Sequence, residues 1–188
     1  MTSTDVRSTP RTGLLRGAAL GAGAGAIASV PMGLYAMGAS YLKDTGFFTP
    51  LHHIASVVAN PDPMMESMTA GMEGNAFVVT VGTALLGAVI HMMTGAMYGA
   101  ILGTVLGSLA ARRRLGAAQV IVIGLVFGAL VFAFSAFVAL PLTAALIGAG
   151  EPIANMAPMA GWWTFFTEHL IFGVVAAALV AAFVRKRA

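Results

Sequence analysis

The sequence predicts an all-α polytopic membrane protein, with four transmembrane helices arranged as two tandem helical hairpins (a parallel repeat) and both termini on the cytoplasmic side. Three observations carry this prediction. Only 9% of the chain is charged and 59% is hydrophobic, with a mean hydropathy of +0.89. A soluble domain carries about 25% charged residues to cover its surface, so lipid is the natural solvent here. Four long apolar runs alternate with polar stretches, at a length that suits one compact bundle. Nine of the ten basic residues then collect on one side: Arg7, Arg11, Arg16, Arg112, Arg113, Arg114, Arg185, Lys186 and Arg187, with Lys43 alone opposite. That asymmetry is the positive-inside pattern, and it predicts a multi-pass protein of the cell (inner) membrane. The basic residues flank apolar runs instead of forming one face, so the sequence pI of about 9.8 points to topology and not to nucleic acid.

Residues 1–13 read as a disordered cytoplasmic tail, rich in Ser, Thr and Arg. The first span covers about 17–42. Ala26-Ile27-Ala28 has the form of a cleavage site, but the apolar run continues well past it, so the helix is expected to be retained. Pro31 predicts a kink. Residues 43–75 form an outer cap, in which Met64, Met68 and Met72 share a face of a short interfacial helix. The second span lies within 77–109 and is stopped by Arg112, Arg113 and Arg114; the third lies within 117–147. The connection 148–161 reads as turns by its Gly and Pro content. Trp162 and Trp163 mark an interface, and the fourth span runs over about 163–184.

Two patterns organise these spans. Gly87, His91, Gly95, Gly99, Gly103 and Gly107 recur every four residues, as do Gly17, Gly21, Gly25, Ser29 and Gly33. On helices such spacing makes seams that let two backbones approach, which is how helices associate in lipid. The seams are expected to face each other within the chain; a homo-oligomer or larger membrane complex is the alternative use. The second pattern is an echo. Val30-Pro31-Met32 is matched by Leu140-Pro141-Leu142, and His91-x-x-x-Gly95 by His169-x-x-x-Gly173, which is the basis of the predicted repeat.

The candidate chemistry centres on the histidines. An ionisable group within a span is costly and marks a protein interior or a water-filled site. His91 and His169 are therefore the candidate cofactor ligands, with Glu168 at the same level as His169. His52, His53, Met64, Met68 and Met72 extend this to a metal-binding set on the outer side, where Met156 and Met159 also lie. Imidazole with thioether is a soft set that favours copper, Cu(I) in particular. A second reading places haem b between His91 and His169 as axial ligands. A third is a non-catalytic structural or accessory subunit of a membrane complex, whose histidines only pack and hydrogen-bond. The chain has no Cys, which excludes disulfides, thiolate metal sites and thiol catalysis. It also lacks a phosphate-binding loop, H-E-x-x-H and G-x-S-x-G, so the sequence leans away from an enzyme.

Overall fold

The computed structural model describes residues 10–110, 112 and 114–185; the expected tail over 1–9 and the end of the last basic cluster lie outside them. Every regular element among the described residues is helical. Four helices are long and apolar enough to cross a membrane: Gly13–Leu42, Val81–Ala110, Ala117–Ile147 and Trp162–Val184.

The first belongs to α1 (Pro10–Leu42), which starts inside the stretch expected to be disordered. Proline suits that start, because its missing N–H is not needed in a first turn. Pro31 is accommodated within the continuous helix. The cap folds as two helices, α2 (Thr49–Ala55) and α3 (Asp62–Met72). The second long helix, α4, spans Val81–Ala110. It begins four residues later than expected because the preceding backbone is used in other ways. Ala76 O accepts from Phe47 N–H, Val78 O from Ser67 Oγ, and Thr80 N–H donates to His52 Nε2.

The third apolar run is α5 (Ala117–Phe134), a π-helical segment (Ser135–Ala139) and α6 (Leu140–Ile147). Pro141 lies just past the π segment. Its ring would crowd the carbonyl four residues back, and the wider π turn relieves that contact. The connection expected to be turns is largely two short helices, α7 (Gly150–Ala154) and α8 (Met156–Ala160). In five-residue helices Pro152 and Pro158 sit among first-turn positions, where no intrahelical donor is lost. Gly161, at φ +89°, turns the chain into α9 (Trp162–Arg185).

The helices pair antiparallel. Gly17, Gly21 and Gly25 of α1 lie against the backbone of Gly103, Gly99 and Gly95 of α4, so close that a Cβ on Gly99 would fall on the Gly21 carbonyl. In the same way Gly124 and Gly128 of α5 lie on the backbone of Gly173 and His169 of α9. α1 also packs along α9, joining the pairs. The core sits toward the arginine end, where Ala24, Ala28, Leu102, Leu106, Phe172, Ala176 and Val180 are buried together. Toward the cap the close approach gives way to the larger side chains of Ser29, His91, Tyr98, Phe165 and His169, and space opens between the helices.

Candidate functional site: a capped cavity between the helices

That space is a cavity of about 390 Å³, walled by α1, α4, the π segment and α9, and roofed by α2, α3 and α8. Of the residues singled out from sequence, His53, Met64, Met68, His91, Glu168 and His169 all line it. His52 and Met72 do not. Met72 is 60% exposed whereas Met64 is 1% exposed. A four-residue step on an α-helix drifts by about 40°, so the face shared by Met64 and Met68 has turned to the outside by Met72.

Each histidine has a defined bonding pattern. The His91 imidazole crosses from α4 to α1 and donates its Nε2–H to Ser29 O at 3.0 Å. The same turn of α1 is tied back by Ser29 Oγ, which donates to Gly25 O at 3.0 Å. Gly33 leaves room for the ring; a Cβ there would meet His91 Nε2 at 3.4 Å. His169 instead donates Nδ1–H to Phe165 O of its own helix at 2.6 Å, and its ring lies 4.5 Å from that of Phe165. The two echoed positions thus reach one cavity by different bonds. His53 donates Nε2–H to Pro152 O at 2.7 Å, which ties α2 to α7. A carbonyl oxygen can only accept, so in each neutral ring the other nitrogen carries a lone pair.

His52 has the Nδ1–H tautomer, as His169 does and as His53 and His91 do not. Its Nε2 accepts the Thr80 amide, which leaves a protonated Nδ1 buried with no hydrogen-bond partner. Burial holds both His52 and His53 below the ordinary histidine value, against smaller opposing contributions from the backbone. His52 is therefore a brace between the cap and the start of α4.

Glu168 is 6% exposed, and its carboxyl accepts no hydrogen bond from the described residues. The nearest ion-pair geometry, to His169 Nδ1, is 3.8 Å, and that nitrogen already serves Phe165 O. Lys43 lines the same cavity. Its ammonium is held at the rim, where Nζ donates to Ala160 O and to Thr164 Oγ1, each at 2.6 Å. In sequence Lys43 stands out only as the lone basic residue opposite the basic clusters, and that isolation is the available signal for its role. Tyr98 and Ser135, joined by a 3.3 Å hydroxyl contact, line the wall without any sequence signal to mark them.

Among the described residues no three His, Asp or Glu side chains gather closely enough to hold a metal ion. Met64, Met68, Met156 and Met159 line the same cavity and add thioethers to its donor set. No family model, curated protein or solved structure matches this chain. The site is therefore read on its own chemistry.

Proposed function

We propose that this chain is a membrane-embedded binding protein, without catalysis of its own, whose ligand occupies the capped cavity. The observation that supports it most is the convergence of polar side chains from separate helices on one apolar-walled space of about 390 Å³. Cavities of about 300–1,000 Å³ with a few placed polar groups suit small organic ligands. In this reading the cap and cavity face the outer side of the cell membrane and the arginine clusters face the cytoplasm, by the nine-to-one distribution of basic residues. The two hairpins, α1 with α4 and α5 with α9, are the halves of a tandem repeat, each closed by its own glycine contact. Native mass spectrometry of the full chain released from detergent tests the reading. A bound small molecule is expected, and Ala36→Phe, which places a ring on the cavity wall, should remove it. A ligand-free spectrum, together with a more stable Ala36→Phe protein, would favour the accessory-subunit reading instead.

A second reading is a Cu(I) site. It is favoured by one observation: free nitrogens on His53, His91 and His169 share the cavity with six thioethers, those of Met32, Met64, Met68, Met97, Met156 and Met159. Soft thioether and imidazole ligands select that ion. Stoichiometric Cu(I) retained against a chelator, and lost on joint Met64→Leu and Met68→Leu substitution, is the expected result. Haem b is less well supported, because His91 spends Nε2, its less crowded nitrogen, on Ser29 O. A colourless preparation after haem supplementation is the expected outcome.

A further inference from the structure

The polar groups of the cavity are unbalanced. Three imidazoles have donated their N–H to backbone carbonyls of Pro152, Ser29 and Phe165, so what each still offers is a lone pair. Glu168 adds a carboxyl that is more than nine-tenths buried and accepts no hydrogen bond from the described residues. Among the described residues the one side-chain N or O atom that is sealed off and unbonded is His52 Nδ1, so the Glu168 oxygens are not sealed; they open onto the cavity that Glu168 lines. Lys43 spends two of its N–H groups on Ala160 O and Thr164 Oγ1, and one of the Tyr98 and Ser135 hydroxyls donates to the other.

Resting on the binding-protein reading above, we propose that the ligand is an organic ammonium with an apolar body, its N–H groups directed to Glu168 and the free imidazole nitrogens. Three physical arguments select this class. A buried carboxyl and three imidazole lone pairs are complemented by a donor-rich group. A carboxyl at membrane depth ionises only when a cation is brought to it, which distinguishes an ammonium from a neutral alcohol. A single metal ion would leave most of the 390 Å³ unfilled, whereas an apolar body would pack against Phe165, Phe172 and the thioethers.

The test titrates the full chain in dodecylmaltoside micelles with 4-phenylbutylammonium, with neutral 4-phenylbutanol, and with Cu(I), each corrected for partition into empty micelles. The ammonium is expected to bind about tenfold more tightly than the alcohol. Glu168→Gln should erase that preference by weakening the ammonium far more than the alcohol, and retained alcohol binding reports that the variant still folds. Equal affinity for ammonium and alcohol, or a preference that survives Glu168→Gln, overturns the ammonium assignment and leaves the binding-protein reading standing. Binding of Cu(I) alone also overturns it, in favour of the metal site. Binding of none of the three overturns both the assignment and the reading it rests on.

Discussion

His52 accepts the Thr80 amide through Nε2, and an imidazole can accept there only while neutral. Its neighbour His53 is likewise held below the ordinary histidine value by burial. A histidine whose folded value is depressed binds its proton more readily in the unfolded chain. Stability therefore falls as pH drops below the unfolded value of about 6.5, and levels off beneath the folded one. Cap stability, followed by hydrogen exchange of residues 49–80, should decline between pH 7 and pH 5 in the native protein. Joint His52→Gln and His53→Gln substitution should flatten that profile, since an amide can make the same bonds without titrating. The sequence presents these two histidines as one motif. About 100° per residue on a helix separates them, and the fold sends one to Thr80 and the other to Pro152. Lys43 makes a second prediction at this scale. Lys43→Met removes both bonds to the α8–α9 corner, so exchange over residues 156–164 should quicken while that of α4 stays unchanged.

The helix pairs rest on backbone contact at glycine. Gly99→Ala would drive a methyl into the Gly21 carbonyl and the Gly25 Cα, with a cost of about 1–3 kcal/mol for overpacking. Gly82, on the same helix, has nothing within 4 Å of where a Cβ would stand. Gly82→Ala should therefore gain about 0.5–1 kcal/mol from helix propensity. Unfolding in mixed micelles of increasing SDS fraction measures both, and equal effects would show that the contact does not hold the pair. The four-residue period was legible in sequence because it needs only helical geometry. The π segment was not, since it answers a clash between Pro141 and its own preceding turn. Nor were α7 and α8, because Gly and Pro content reads as turns although Pro is tolerated in a helix's first turn.

At the scale of the molecule, composition and the distribution of arginines lead to a bundle with one basic end and one capped end. With no native Cys, single introduced cysteines report its orientation. Glu73→Cys should label with a membrane-impermeant maleimide in intact cells, and Gln119→Cys only after lysis. The reverse pattern would invert the proposed topology. The predicted match between His91 and His169 meets an asymmetric outcome. One imidazole bridges α4 to α1, and the other turns back on α9. His91→Ala should therefore loosen the α1–α4 pair, whereas His169→Ala should leave that pair intact. Exchange protection in α1 distinguishes the two.

Hydropathy, helical period and charge asymmetry are properties of the chain taken a few residues at a time, and they suffice for four apolar helices, their limits and their small-residue faces. Which side chains meet is a different kind of fact. Met64 and Met72 share a period but not an environment, and His52 and His53 share a dipeptide but not a partner. Lys43 and Thr164 stand 121 residues apart and still bond across the rim. The cavity exists because glycine brings the helices together at one end while bulkier side chains and the folded cap hold them apart at the other. That difference in spacing between helices is set by tertiary packing, and no local pattern encodes it.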